Sequence, residues 1–404
     1  MPSLDVVVTC PIYDSFRVQQ VAGMFDVPLA EKASERFEAD VPGTNENWQI
    51  GLIVGPSGSG KSTIARRAFE AKMYAANEWP TDRAVVDCFS ELPVRYVVEL
   101  FTAVGFGSPP SWIKPFHVLS NGERFRCDLA RALGKGFVAQ GCRMPYAGNE
   151  GPEPGALSLS PASDIRPPLV VFDEFTSVVD RNVAKVCSAA IAKGIRRGHL
   201  PCRFVAVSCH YDVAAWLEPD WILDMATCEL QRRCLRRPPI ELEIHRCGVD
   251  AWQLFKRHHY LNGQLPVAAR CYLTTWDGIP VNFCATVPVI TRKNHRRFTR
   301  IVTLPDYQGI GIGMRAVTAV AELHRAEGHR INVTSSHPAL IRHCDHSPLW
   351  KTVNVRKSGG SSQRGSKSFP TYRNAAGRAV VSFEYVGRLT ATHSEARPEE
   401  HLAT

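Results

Sequence analysis

Residues 55–63 read Gly-Pro-Ser-Gly-Ser-Gly-Lys-Ser-Thr, and no other stretch of the chain restricts the fold as strongly. Gly55, Gly58 and Gly60 let the backbone curl until successive N–H groups point at one centre. The preceding run 50–54, Ile-Gly-Leu-Ile-Val, is β-branched and apolar and predicts a buried strand. Residues 62–74 predict a helix whose N-terminus opens onto the turn. A strand, a glycine turn and a helix N-terminus together form an anion cradle. The candidate ATP-binding residues are therefore Gly55, Ser57, Gly58, Ser59, Gly60, Lys61, Ser62 and Thr63. Lys61 would reach the β- and γ-phosphates and the Ser62 hydroxyl would hold Mg²⁺.

Further parts follow in a set order. Leu-Ser-Asn-Gly-Glu occupies 119–123, Val-Val-Phe-Asp-Glu occupies 170–174, and His210 follows the β-rich run 204–208. Asp173 ends an apolar strand, where a carboxylate can complete the Mg²⁺ site with Ser62. Glu174, next along, would polarise an attacking water. This order resembles an ABC-type ATPase over residues 5–230. The resemblance implies that Ser120 and Gly122 cap the ATP of an opposing subunit at a helix N-terminus. It also implies that His210 contacts the γ-phosphate, that Asp180 lies in a loop crossing to the second subunit, and that the chain forms a head-to-tail homodimer. Asn121 stands where glycine is commoner, and Lys61 and Ser120 are only 59 positions apart. The region after Asp87 offers no glutamine for a coupling loop, and no segment is long and apolar enough to span a bilayer. These departures resemble the soluble branch that includes DNA-repair and chromosome-structural ATPases, without their long coiled coils. Tyr13, Phe16 and Phe25 are candidates to stack on adenine.

The whole sequence divides naturally in two. Residues 1–236 form the nucleotide-binding part, with a Pro/Gly/Ser-rich insertion at 141–168. Residues 237–390 form a second part, and 391–404 a frayed tail. Strands are predicted at 5–9, 85–87, 169–172 and 204–208, and helices at 93–104 and 122–133, giving a largely parallel α/β sheet. From 240 onward strands dominate, at 267–276, 281–289, 298–304, 331–335 and 379–386, with a helix at 313–327. Residues 358–368 read as a Gly/Ser/Lys loop.

Within the second part, Gln-Gly-Ile-Gly-Ile-Gly at 308–313 lies between the strand 298–304 and the helix 313–327. A dinucleotide-binding reading fails, because the β-rich order is not a βαβ repeat and no acidic residue is well placed after the helix. The segment resembles the acyl-CoA loop of GNAT acetyltransferases over residues 240–390. That resemblance implies acetyl-CoA as donor, with Gln308, Gly309, Gly311 and Gly313 at its pyrophosphate and strand residues Ile301 and Val302 along its pantetheine arm. Acyl transfer must take a proton from an acceptor amine and give one to the departing thiolate. His258, His259 and Tyr260, and Ser336, His337 and His343, are the candidates, with His259, Tyr260 and His337 singled out as catalytic. Arg-His-His-Tyr-Leu-Asn-Gly at 257–263, with Ser-Ser-His-Pro at 335–338, more loosely resembles the Mom-like GNAT branch of phage enzymes that modify adenine in DNA.

Charge points the same way. Residues 1–231 hold 22 Lys and Arg against 27 Asp and Glu; residues 232–404 hold 26 against 12. So basic a second half suits a polyanion such as DNA or RNA. Arg292, Lys293, His295, Arg296 and Arg297 could follow a phosphate backbone or form a solvated hairpin tip. The 13 cysteines lack metal spacings and read as reduced thiols. The expected class is α/β: a P-loop ABC-type ATPase domain followed by an α+β GNAT domain, in a cytoplasmic protein with no membrane partner. The expected function is ATP-gated acyl transfer onto nucleic acid. Its rivals are an ATP-regulated acetyltransferase for a protein or small amine, and a nucleic-acid-binding ATPase with a non-catalytic second domain.

Overall fold

The computed structural model describes residues 3–27, 32–69, 72–74, 78–139, 166–232, 236–259, 263–290, 292–358 and 378–387. Tyr260, residues 141–165 of the expected insertion, most of the 358–368 loop and the 391–404 tail lie outside them. The chain divides into two compact units. The first holds Met1–Ile240 and the short segment Pro305–Ile310; the second holds Glu241–Leu304 and Gly311–Thr404.

The first unit opens with β1 (Ser3–Pro11), α1 (Phe16–Phe25) and β2 (Lys32–Asp40), in which β1 and β2 pair antiparallel. Then come β3 (Ile50–Val54), α2 (Lys61–Phe69), α3 (Val94–Ala103), α4 (Pro109–Trp112) and α5 (Asn121–Ala139). They are followed by β4 (Leu169–Phe172), α6 (Arg181–Arg196), β5 (Arg203–Ser208), α7 (Ala214–Leu217), β6 (Trp221–Asp224) and β7 (Glu229–Arg232). The central sheet has the order β4-β5-β3-β6-β7 and is parallel except for β7. Every residue of β3, β4 and β5 is buried. That is why these strands read as unbroken apolar runs: helices cover both faces of such a sheet. On one face α3, α5 and α6 pack around Leu100, Phe101, Leu129, Leu133 and Ile191; on the other lie Ile64, Phe69, Trp48 and Trp221. Gly51 interrupts β3 because the Trp221 ring occupies the space a side chain would need, only 2.1 Å from an added Cβ.

Residues 85–87 are not a strand. Val85–Phe89 is one 3₁₀ turn, with Val85 and Phe89 turned into the core. A three-residue apolar run cannot distinguish the two, and here the Lys114 carbonyl takes the Val85 N–H rather than a neighbouring strand.

The second unit holds β8 (Glu243–Cys247), α8 (Trp252–Phe255), β9 (Arg270–Trp276), β10 (Ile279–Pro288), β11 (His295–Thr303), α9 (Ile312–Ala326), β12 (Arg330–Ser335), α10 (Pro338–His346), β13 (Trp350–Ser358) and β14 (Arg378–Tyr385). They build a seven-stranded sheet ordered β13-β14-β12-β11-β10-β9-β8. All neighbours are antiparallel except β11 and β12, which α9 connects. One face packs on α9 through Ala316, Val317, Val320 and Ala321; the other carries Trp252 and Phe255 against Phe283 and Val302.

Residues 292–297 are not one solvated tip. Arg292, Lys293 and Arg297 are exposed, but β11 takes His295 and Arg296 inside. Arg296 donates from Nε to Thr286 Oγ1 (3.3 Å) and from Nη2 to the Thr286 carbonyl (3.1 Å). Consecutive strand residues point to opposite faces, so His295 and Arg296 are buried on opposite sides of β11 while Arg297 is left exposed.

Beside Arg296, His324 is fully buried, with Nε2 within 3.1 Å of Tyr272 Oη and 2.9 Å of Thr286 Oγ1. Burial, reinforced by Arg296, pushes its pKa down to about 4 despite Glu327 nearby. An unfolded histidine binds a proton more readily, so as pH falls from about 6.5 to about 4 the unfolded chain gains protons the fold refuses. The second unit should lose on the order of 3 kcal/mol over that window. Denaturant melts at pH 7 and 4.5 should show this loss, and His324→Phe should be less stable at pH 7 but flatter in pH. Equal slopes in the two proteins would show that another group carries the acid sensitivity.

Candidate functional sites

The first unit gathers its expected site at the ends of β3 and β4. Gly55, Gly58 and Gly60 have φ of 152°, 81° and 80°, a region open to glycine and costly for other residues. A side chain at Gly60 would strike the Phe37 ring at 2.4 Å, whereas one at Gly58 would meet open space, as a cradle for a ligand requires. Lys61, first residue of α2, donates from Nζ to the Pro56 carbonyl (2.6 Å). The Ser62 hydroxyl donates to Asp173 Oδ1 at 2.9 Å. Residues 111 positions apart thus present two oxygen ligands side by side, the donor set Mg²⁺ prefers. The residues present fit Mg-ATP: Ser62 and Asp173 would hold the metal, and Lys61 and the N–H groups of 58–63 the phosphates.

After β4 the backbone is strained twice. Glu174 has φ 52° and Thr176 has φ 69°, the latter a fully buried β-branched residue. Such conformations cost about 1–3 kcal/mol each and cluster at working sites. The Glu174 N–H donates to Asp173 Oδ1 (3.0 Å), and Glu174 Oε2 accepts from the Ser177 hydroxyl (2.6 Å). Thr176 Oγ1 lies 3.4 Å from His210 Nδ1. Burial, with Arg181 nearby, lowers the His210 pKa and favours the neutral ring. Thr176 was not among the residues singled out from sequence; a threonine three places after Asp173 carries no signal until its backbone is seen.

Ser120 stands directly before α5 and Gly122 in its first turn, and Ser120 already has a local role. Glu123 Oε2 accepts from the Ser120 N–H and hydroxyl (3.0 Å each), and Ser120 Oγ accepts from the Glu123 N–H (3.3 Å). This reciprocal cap satisfies helix-end donors and contributes roughly 1 kcal/mol. Asp180 caps α6 through the N–H groups of Asn182 and Val183. Tyr13, Phe16 and Phe25 are all strongly exposed around α1.

In the second unit the notable feature is a parting of strands. β11 and β12 pair only at His295–Arg330, Arg296–Ile331 and Arg297–Asn332. Beyond these, residues 298–303 keep β10 as their partner, and β12 keeps β14. The backbone edge of 298–303, including Ile301 and Val302, thus borders a wedge able to take an extended chain by strand-like hydrogen bonding. A β-bulge between Ala285 and Thr286 shifts the β10–β11 register beside it.

The glycine turn follows β11. Gly309 and Gly311 have φ of 90° and 101°, and Gly311 is the N-cap of α9. A side chain at Gly313 would lie 2.8 Å from Thr303 Oγ1. Gln308 and Gly309 belong to the segment that packs with the first unit. There Gln308 Oε1 accepts from the Gly107 N–H (2.7 Å), and the Gly309 carbonyl accepts from Lys193 Nζ (2.9 Å). Gly311 and Gly313 stand with α9, whose N–H groups can face a pyrophosphate. Within the second unit, the wedge and the N-terminus of α9 at Gly311 fit an acyl-CoA, whereas Gln308 and Gly309, expected at its pyrophosphate, stand with the first unit.

The expected acid–base residues divide between two places. His337 follows the end of β12, at the open side of the wedge, and its N–H donates to Ser335 Oγ (2.9 Å). Burial lowers its pKa, so the ring is neutral and able to accept a proton at neutral pH. Ser336 is half-buried beside it, while His343 is exposed on α10. His259 lies edge-on to Trp252 at 5.9 Å, and His258 accepts from Arg257 Nε. The eleven described cysteines form no disulfide, and the described residues contain no metal-binding cluster. Among the described residues no helix is long and apolar enough to cross a membrane.

No family model and no curated protein matches the chain. Solved structures that resemble part of it include an IAA acetyltransferase from Bacillus cereus, with 15% identity over 36% of this chain and 99% of that one, at a TM-score of 0.25. The ribosomal-protein-S18-alanine N-acetyltransferase from Escherichia coli shows 15% identity over 36% of this chain and 93% of its own, at 0.28. A bacterial Atm1-family ABC exporter with ATP bound shows 17% identity over 48% of this chain and 34% of its own, at 0.30. Scores at this level do not establish a shared fold.

Ser62→Ala and Asp173→Asn should each weaken Mg²⁺-dependent nucleotide binding tenfold or more, about 1.4 kcal/mol, with metal-free nucleotide binding less affected. Titration of a fluorescent ATP analogue with and without Mg²⁺ would separate the two. Equal losses with and without metal would argue against a metal role for the pair.

Proposed function

We propose that the second unit transfers an acyl group from acyl-CoA to an amine on a nucleic acid, and that the first unit binds and hydrolyses Mg-ATP to gate this transfer. The observation that carries the proposal is the parting of β11 from β12 directly ahead of the Gly309–Gly311 turn and α9. It supplies, in one place, an edge for an extended thioester arm and a helix N-terminus for a pyrophosphate. In the transfer the thioester C–S bond breaks and a C–N bond forms. The amine proton leaves to a base and the thiolate sulfur is reprotonated. His337 is the base this reading favours, because it stands where the wedge opens and burial keeps it unprotonated.

The convergence of Ser62 with Asp173, next to the strained turn that presents Glu174 and His210, supports the ATPase part. Closure of a head-to-tail dimer over two ATP molecules would bring the Ser120 end of α5 onto the partner's nucleotide. The charge excess beyond residue 232 supports a nucleic-acid acceptor.

Purified protein with acetyl-CoA, Mg-ATP and either duplex DNA, single-stranded DNA, tRNA or no polymer should release free thiol and label one polymer. Gly311→Val should abolish acetyl-CoA binding, because valine resists φ near 100°; Lys61→Ala should abolish ATP-stimulated polymer labelling while leaving acetyl-CoA binding intact. Thiol release that no polymer stimulates, with ATPase activity intact, would move the acceptor to a protein or small amine. His337→Ala should lower kcat roughly 10²–10⁴-fold. The wild-type rate should rise with pH through a pKa below the ordinary histidine value and be flat by pH 7. Survival of that acid limb in His337→Ala would assign the base elsewhere.

A further inference from the structure

The second unit has a chemically uniform end where β11 and β12 begin, β10 finishes and α9 runs out. The exposed side chains there include Arg246 at the end of β8, Arg292 and Lys293 in the β10–β11 connection, and Arg297 on β11. Behind them lies Arg296, buried and fixed on Thr286. Two carboxylates near this cluster are already taken: Glu327 is bound by Arg270, and Glu384 by Nε and Nη2 of Arg330 (2.6 Å each). Positive charge is therefore left over.

The connection that carries it is also rigidly held. Val289 N–H donates to the His295 carbonyl (2.8 Å), Arg292 N–H to the Val289 carbonyl (3.0 Å) and Arg330 N–H to the Asn294 carbonyl (2.7 Å). Asn294 takes the left-handed conformation, φ 49°, that closes the turn. Cations held in place lose less freedom on binding than cations on a loose loop.

We propose that this end of the second unit is a docking surface for a nucleic-acid backbone, separate from the acyl-transfer wedge. The proposal rests on the nucleic-acid reading of the acceptor and adds where the polymer is gripped. Fork-shaped guanidinium groups match phosphate oxygens two at a time, and three of the four exposed cations are arginines. A bilayer would ask for more apolar area than Ile290, the one fully exposed aliphatic side chain of the connection, provides. The 15 residues of α9 separate this end from the Gly311 turn by about 22 Å, or six to seven base pairs at about 3.4 Å each. A polymer held here would reach the wedge with a nucleotide several steps away.

The test is a quadruple variant, Arg246→Gln, Arg292→Gln, Lys293→Gln and Arg297→Gln, in the full chain. Fluorescent duplex DNA, single-stranded DNA and RNA would be titrated between 50 and 300 mM salt (roughly the range over which backbone contacts are lost). Acetyl-CoA binding and the melting curve would be followed in parallel as controls on folding. The wild type should bind a polymer with a steep salt dependence, and the variant should lose about 3–4 units of slope in log Kd against log salt, with acetyl-CoA binding kept. An unchanged slope in the variant, with the wild type binding, would overturn this surface and leave the nucleic-acid acceptor standing. No polymer binding by the wild type at 50 mM salt would overturn both. Wild-type binding to phosphatidylserine vesicles but to no polymer would overturn the proposal in favour of a membrane.

Discussion

Three residue pairs hold β11 to β12, and there the pairing stops. The rest of the second unit follows from that limit. A parallel pair needs a crossover, and α9 provides it, so the helix N-terminus must stand at the end of β11. β12 then finds its other neighbour in β14, and β11 keeps β10, so the sheet stays continuous while its middle opens. The glycines at 309 and 311 let the chain turn from strand into helix within the space available. Had the two strands zipped along their full length, the same residues would make an ordinary closed sheet with no opening at its middle.

The first unit obeys a different constraint. Its parallel strands are buried on both faces, so polar chemistry can appear only at their ends. Asp173, Glu174 and His210 lie just beyond strand ends, and the hydrogen bond from Ser62 to Asp173 ties the start of α2 to the end of β4 across the intervening β5. Lys61 and Ser62 start α2, so one helix N-terminus carries both the hydroxyl that meets Asp173 and the amides that follow the glycine turn.

Much of this could be read from sequence where one physical signal dominated. The runs 50–54 and 169–172 emerged with the expected limits, because both are rich in β-branched residues and bounded by glycine or proline, which decides a short apolar run in favour of a strand. The motif residues Ser62 and Asp173 were found from order alone, and the structure brings them together. Other features were hidden for stated reasons. β2, Lys-Ala-Ser-Glu-Arg-Phe-Glu-Ala-Asp, reads as polar because, among the described residues, it pairs with β1 alone and leaves most of its side chains exposed. The Arg292–Arg297 run looked uniform as a string of letters, yet β11 turns Arg296 inward and Arg297 outward. The parting of β11 and β12 left no trace in composition, since it is a property of pairing and not of either strand.

The left-handed backbone at Glu174 has an evolutionary corollary. Glycine would relieve about 1–3 kcal/mol of strain there, set against roughly 1 kcal/mol for the lost hydrogen bond from Ser177 to Glu174 Oε2, so the balance leans toward glycine. Selection for stability alone would drift toward Glu174→Gly and erase the carboxylate beside Asp173. A library screened only for heat resistance should therefore enrich glycine here, and the enrichment would mark the position as one where folding and chemistry want different residues.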